Sequence, residues 1–293
     1  MKKSTILHLR FPFSFFLLPV FLFALALAPN VIWWQAILTF LILHFMVYPA
    51  SNGYNSYFDK DENSIGGLKF PPKVSKDLYW AALALDVVAL ALGFLISNLF
   101  VAMIFIYGMI SKAYSHPSVR LKSKPIGGWL AAGIFQGYFT FLMAIVGVSG
   151  FRLIDLGGLE LQFAAVLTSL MLFGSYPMTQ IYQHEEDGNR GDRTLSLMLG
   201  VLGTFNFTAG FFSVSTALFS LFFVQYYGWV PAVLFLTILS PILLYFSKWY
   251  LAVRKDQTLA NYDRTMKLNW ISATCLNAFF MLLYYQLNGF PWV

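Results

Sequence analysis

Two stretches of the chain repeat one order of polar residues. The first, Tyr48 to Asp59, reads YPASNGYNSYFD; the second, Tyr176 to Asp187, reads YPMTQIYQHEED. Each opens on Tyr-Pro. A hydroxyl (Ser51, Thr179), an amide (Asn52, Gln180), a tyrosine (Tyr54, Tyr182), a second amide (Asn55, Gln183) and an aspartate (Asp59, Asp187) follow in turn. Residues at i and i+4 share one face of an α-helix, so each stretch is expected to carry a stripe of amide, amide and carboxylate. The prolines, ten residues before each aspartate, are expected to kink both helices alike. Two carboxylates on separate helices, each backed by an amide oxygen, form a hard ligand set. Mg²⁺ takes such ligands, usually with substrate phosphate oxygens and water completing its shell. Asp59 and Asp187 are the candidate catalytic and metal-holding acids, with Asn55 and Gln183 as neutral oxygen donors. Helix capping alone would supply one such stripe; two with the same order and spacing favour a paired site.

Basic stretches lie between the two stripes and after the second. YSHPSVRLKSK (Tyr114 to Lys124) separates the repeats, and GNRGDRT (Gly188 to Thr194) follows the second. Arg120, Lys122, Lys124, Arg190 and Arg193 could grip phosphate from the far side of the acids. Membrane topology alone would also place Lys and Arg in these loops, so their value comes from the company they keep.

The elements that carry these groups follow from composition. Of 293 residues 58% are apolar, 19% aromatic and 11% charged, with a mean hydropathy of +0.66; a soluble domain carries about 25% charged residues. The chain reads as an integral membrane protein, all-α, a single domain over 1–293 with a short basic arm at 1–10. Nine apolar segments are expected near 12–28, 32–58, 78–98, 99–116, 126–149, 160–184, 203–226, 229–250 and 267–288. Only Ser97-Asn98 separates the third from the fourth. No cleavable signal peptide is read at the start. The lone cysteine, Cys275, excludes an internal disulfide, and the scattered histidines lack zinc spacing. The net charge of +6 reflects topology rather than nucleic acid. With the amino end cytoplasmic, all of the 19 Lys and Arg residues except Arg152 fall on the inner side. Asp59 and Asp187 then emerge together at the cytoplasmic face, and the carboxyl end, Gly289 to Val293, lies outside. A bacterial inner membrane is the expected location.

Upstream on the stripes, His44, Tyr48 and Asn52 lead to Asp59, and Tyr176 and Gln180 lead to Asp187. Polar side chains at membrane depth face a bundle interior or a cavity, so these five are expected to line a cavity opening inward. Hydrogen bonds between helices are the plainer alternative, and Asp86, the one carboxylate in mid-span, stays open between the two. Acid and base at one face, above an aromatic-rich apolar cavity, suit an amphiphile with a diphosphate head and a hydrocarbon tail.

At this point a family resemblance enters. NSYFDKDEN (Asn55 to Asn63) resembles the N-x-x-x-D-x-x-x-D motif of the UbiA superfamily of intramembrane prenyltransferases. The second repeat with RGDRTLSLMLG resembles that family's second Asp-rich motif and its G-x-x-T-L tail (Gly191, Thr194, Leu195). YSHPSVRLK resembles the Y-S-x-P-x-x-x-L-K loop of chlorophyll-synthase-like and archaeal-lipid-like members. The resemblance implies a nine-helix bundle around a lipid-accessible cavity and Mg²⁺ held at Asn55, Asp59, Asn63, Gln183 and Asp187. It also implies diphosphate contacts from Tyr114, Arg120, Lys122, Arg190 and Arg193. A polyprenyl group would pass from its diphosphate to an aromatic or other lipophilic acceptor. Quinone precursor, haem, chlorin, glycerophosphate and carotenoid acceptors all fit the resemblance.

Two positions depart from the family pattern. Asn63 stands where the first motif ends in an acid, and Gln183 where the second begins with one. Glu62, one helical turn beyond Asp59, is the expected substitute. Two other readings compete with the enzyme: a catalytically weak homologue that binds isoprenoid diphosphate or quinone, and a transporter. Transporter sites tend to lie near mid-membrane on broken helices, whereas these acids lie at the cytoplasmic ends.

Overall fold

The structure, a computed structural model, describes residues 2–289; the predicted outer end beyond Gly289 lies outside the described residues. A short helix α1 (Lys3–Leu9) precedes a 3₁₀ turn over Phe11–Phe16 and α2 (Leu18–Leu27). Then come α3 (Trp33–Asp59), α4 (Asp77–Gly93), α5 (Asn98–Ser115) and α6 (Pro125–Ser149). The chain continues through α7 (Leu159–Ser175), α8 (His184–Arg190), α9 (Leu195–Tyr227), α10 (Trp229–Val253) and α11 (Tyr262–Asn288). Among the described residues, seven helical stretches are long and apolar enough to cross a membrane. Lys3–Phe16 and Leu18–Leu27, bent by 44°, would make an eighth, and α4, with 17 residues, is apolar through its middle apart from Asp86. The nine predicted segments each find a helix.

The breaks follow local chemistry. Pro12 and Pro19 each start a new turn, which splits the first predicted segment, because proline lacks an N–H and suits a first helical turn. Ser97 accepts a hydrogen bond from the Phe100 N–H at 3.1 Å and caps α5, so the thin boundary between the third and fourth segments is real. Inside α9, Gly200 adopts φ 69°, ψ 175°, a conformation that only glycine takes without strain. The helix thereby starts eight residues earlier than the predicted segment. Pro49 would clash with the carbonyl of Phe45 in a regular helix; α3 widens into a π turn over Leu43–Val47 just before it. A second π turn, Ile134–Phe139, lies in α6. There the Tyr138 N–H donates to Ser169 Oγ (2.9 Å), and the same hydroxyl donates to Gly133 O (2.8 Å).

Phenylalanines fill the interior away from the charged end. Phe23, Phe141, Phe219, Phe222, Phe223, Phe235, Phe279 and Phe280 are all buried; Phe23 and Phe280 stack with ring centroids 4.6 Å apart. Between membrane helices, packing of this kind replaces the missing hydrophobic drive, each aromatic pair adding about 0.5–1.5 kcal/mol beyond its area. Large apolar side chains such as Val87, Trp229 and Leu244 are exposed instead, as a lipid-facing surface requires.

Candidate active site

The two repeats meet at one end of the bundle, on different backbones. The first forms a helix to Asp59, where Lys60 turns left-handed (φ 53°) and ends it. The second is broken after Tyr176: 3₁₀ turns over Tyr176–Thr179 and Ile181–Gln183 precede α8. The expectation of two equally kinked helices is therefore corrected. Pro49 is absorbed by the π turn, while Pro177 opens a stretch that regains α geometry only at His184.

Around the acids lies a charged pocket of about 110 Å³, lined in part by Asn55, Asp59, Asp61, Lys122, Asp187 and Arg190. Asp59, 3% exposed at its side chain, pairs with Lys122, with Arg120 at 3.4 Å and with Arg190 at 4.0 Å. Arg190 also pairs with Asp61, with Asp187 at 2.9 Å and with Asp192 at 2.8 Å. Arg120 grips Asp192 through two nitrogens, at 2.7 and 2.8 Å, the fork geometry that guanidinium offers a carboxylate. Burial raises the Asp192 carboxyl. The hydrogen bond from Arg120 and the charges of Lys122, Arg120 and Arg190 outweigh that and hold it below the usual carboxylate range. The same hydrogen bond raises the Arg120 guanidinium. Asn55 Oδ1 accepts from Ser115 (2.8 Å) and Lys122 (3.3 Å).

An apolar cavity of about 250 Å³ adjoins this pocket, and Tyr176 and Thr179 line both. The Tyr176 hydroxyl is hydrogen-bonded to that of Tyr114 and accepts from Gln180 Nε2 at 3.1 Å. Leu236 and Leu243, exposed on the outside of the bundle, also line the cavity, so it reaches the lipid-facing surface.

Most of the predicted residues converge. Asn55, Asp59, Tyr114, Lys122, Gln180, Gln183, Asp187 and Arg190 line the charged pocket, Arg120 borders it through Asp59, and Tyr48, Asn52 and Tyr176 line the apolar cavity. Four expectations fail. Asn63 and Glu62 are exposed, because the helix stops at Asp59 and the i+4 register beyond it does not exist. Arg193 is also exposed; only its backbone enters the loop, where its N–H donates to Ser123 O at 3.1 Å. His44 is buried among Phe21, Phe40 and Tyr48 rather than on the cavity wall. It sits within the π turn, which adds a residue to that turn and rotates His44 off the downstream stripe. Gln183 faces the pocket but donates its amide to Ser64 O at 3.2 Å. Asp86 is resolved as a helix-to-helix contact, paired with Lys112 of α5.

Asp61 and Asp192 complete the acids, and sequence reasoning missed both. Asp61, two residues past Asp59, lies off the i, i+4 stripe, so spacing alone does not point to it. Asp192 sits within the RGDRT stretch, where the alternation of acid and base was the available signal.

A helical bundle with a charged pocket opening onto an apolar, lipid-reaching cavity is built for an amphiphile, its head at the charged end and its tail among the helices. Residues 16–271 match the model of the UbiA prenyltransferase family, and the chain belongs to that family. The fold is shared with solved structures. A UbiA homologue from Archaeoglobus fulgidus bound to GPP and Mg²⁺ aligns with a TM-score of 0.69 at 17% identity, over 96% of this chain and 99% of that one. A UbiA homologue from Aeropyrum pernix K1 gives 0.67 at 19%, over 94% and 97%. A digeranylgeranylglyceryl phosphate synthase gives 0.58 at 14%, over 98% of each chain. No curated protein sequence matches the chain.

Proposed function

We propose that the chain transfers a polyprenyl group from its diphosphate to a lipophilic acceptor, with the diphosphate in the charged pocket and the hydrocarbon in the apolar cavity. The observation that carries this reading is the shared wall of the two spaces. Tyr176 and Thr179 stand between three cations and a tail-sized apolar volume, where the reacting carbon of an allylic diphosphate would lie. The structure of the A. fulgidus homologue with GPP and Mg²⁺ supports the donor class.

The donor set suits Mg²⁺ in chemistry: Asp59, Asp61 and Asp187 are hard oxygen ligands, and Gln180 Oε1 is buried without a partner. Among the described residues, however, no three His, Cys, Asp or Glu side chains are grouped closely enough to hold an ion, since Lys122 and Arg190 share these carboxylates. Asp59 and Asp187 would hold the metal, with Asn55, Gln180 or Gln183 as neutral donors, once diphosphate oxygens join them. Bound there, Mg²⁺ would supply positive charge against that building on the leaving diphosphate. Arg120, Lys122 and Arg190 do the same from the protein side. The C1–O bond breaks with its electron pair going to diphosphate. The acceptor's nucleophilic atom then bonds C1 and loses its proton to the departing group. Aromatic walls at Tyr48, Tyr107 and Phe16 exclude water from the electron-poor carbon and favour cationic charge through their faces. The distribution of Lys and Arg supports placing the charged end at the cytoplasmic face.

The test is diphosphate release and lipid product from a labelled prenyl diphosphate in detergent, with and without EDTA. Metal-dependent transfer is expected. Binding of the donor without release, or release indifferent to EDTA, would move the reading to a binding homologue.

A further inference from the structure

One charged pair has no part in the chemistry above. Lys112 of α5 and Asp86 of α4 form an ion pair between two helices, with side chains 18% and 21% exposed. Neither lines the charged pocket or the apolar cavity. Charged groups at membrane depth are costly and mark functional positions. Lys112 lies in the last turn of α5, where a lysine ordinarily stretches outward to headgroups and water. Here it turns the other way. Phe58 packs on both Tyr79 and His116, with ring centroids 6.4 and 5.1 Å apart, which sets the start of α4 level with the end of α5. Lys112 is four residues from His116 and Asp86 seven from Tyr79, so at 1.5 Å per residue they lie about 6 and 10 Å below that level. Lys112 therefore reaches inward, its ammonium 5.2 Å from the centre of the Tyr54 ring.

The serines beside Lys112 face α3 instead. Ser111 Oγ donates to Ser51 Oγ at 2.7 Å, and Ser115 Oγ donates to Asn55 Oδ1 at 2.8 Å. These are two rungs, four residues apart on both helices. The next position on that face of α3 is Asp59, held by Lys122 and Arg120 of the loop that leaves α5. Single hydrogen bonds between membrane helices hold weakly, because a displaced hydroxyl finds another partner. Two rungs along one face fix how high α5 stands against α3 but leave it free to roll about them. A tie from the adjacent residue to a second helix removes that freedom. Rolling would carry Tyr114 and the root of the basic loop away from Asn55 and Asp59.

Resting on the transfer reading above, we propose that Asp86 and Lys112 are positioning residues of the donor site: their pairing fixes the rotation of α5, and through it the reach of Arg120 and Lys122 to the diphosphate. Neither residue touches the donor.

The variant without the pair, Asp86→Val with Lys112→Met, tests this in the purified full chain in detergent. Exchanging a buried ion pair for apolar residues is often neutral or stabilising, so the melting temperature is expected to hold. One charge of each sign is removed, which leaves the net charge facing an anion unchanged. Titration calorimetry with geranyl diphosphate and Mg²⁺ should show binding weakened about five- to tenfold at full stoichiometry, inside the hundredfold that a misplacement near 1 Å can cost. A smaller folded fraction would lower the stoichiometry and leave Kd in place; an unchanged Kd overturns the proposal. Lys112→Arg keeps the pair and should bind like the wild type, and a loss equal to that of the variant without the pair overturns it as well. Spin labels on Glu62→Cys and Ser118→Cys, both exposed positions, in a Cys275→Ser background give a readout that needs no ligand. One narrow distance is expected with the pair and a broader or shifted one without it; an identical distance overturns the proposal. If the double variant fails to fold, Asp86→Asn takes its place, keeping a hydrogen bond without the charge. It should weaken binding by about threefold, the scale of one such contact between membrane helices, and an unchanged Kd counts against the proposal in the same way. Absence of geranyl diphosphate binding in the wild type sinks prenyl transfer, and the spin-label distance then decides the rotation of α5 alone.

Discussion

The first repeat keeps its helix and the second loses it, though Tyr-Pro, hydroxyl, amide, tyrosine, amide and aspartate recur at the same spacing in both. Pro49 follows a π turn and the helix runs unbroken to Asp59; Pro177 is followed by two 3₁₀ turns. The partners differ accordingly. Asp59 is tied to the basic loop through Lys122 and Arg120. Asp187 is tied to Arg190 of its own short helix and approached by Thr194 at 3.5 Å. Asn55 accepts from the loop's Lys122, whereas Gln183 spends its amide N–H on Ser64. A repeated sequence has thus produced two unlike half-sites: one organises the loop between the repeats, and the other organises itself.

That asymmetry breaks or holds under substitution. The largest effect is expected from the acids themselves. On the proposed mechanism Asp59→Ala and Asp187→Ala each lower diphosphate release by at least about a hundredfold, a loss in the range of removing a main electrostatic contributor. Both remain monodisperse in detergent. Retained turnover in one variant alone would show that a single half-site suffices. Asp192→Asn gives a smaller effect, through the tie between the second half-site and the loop. The Asp192 pKa is held below its ordinary value, so its stabilisation is fully present above the unfolded carboxyl pKa of about 3.9 and is lost as pH falls through the lower folded value. Thermal melts should show wild type above the variant at pH 7, with the gap closing on acidification; a gap that does not depend on pH would separate the tie from Asp192's charge. The smallest effect is expected at the family's missing acids. Asn63→Asp changes the Mg²⁺ dependence less than about twofold because the residue is exposed, while Gln183→Asp alone shifts it. A shift from Asn63→Asp would restore the first repeat's longer motif as a working unit.

The span pattern was legible because lipid imposes one rule on every segment: long apolar runs, with charges at the ends. Asp59 and Asp187 were legible because one order of polar residues occurs twice, and Lys122 and Arg190 because they lie in the basic stretches between and after the two copies. What escaped depended on where helices stop or swell. Lys60's left-handed turn removed Glu62 and Asn63 from the stripe, and the π turn removed His44. Neither leaves a periodicity to read; a proline marks the neighbourhood of the swelling without fixing its position. Arg10 looked like one more topology signal, and only its burial against Asn52 and Gly66 set it apart from the other basic residues of the arm.

Arg190 serves four aspartates at once; Arg120 shares two of them, Asp59 and Asp192, and Lys122 shares Asp59. Four acids against three cations leave the resting pocket short of positive charge. A diphosphate that recruits those cations strands the carboxylates they served, and the cheapest remedy is for a divalent ion to arrive with it. Donor and ion then behave as one thermodynamic unit: each raises the affinity for the other by the same factor, as linkage demands.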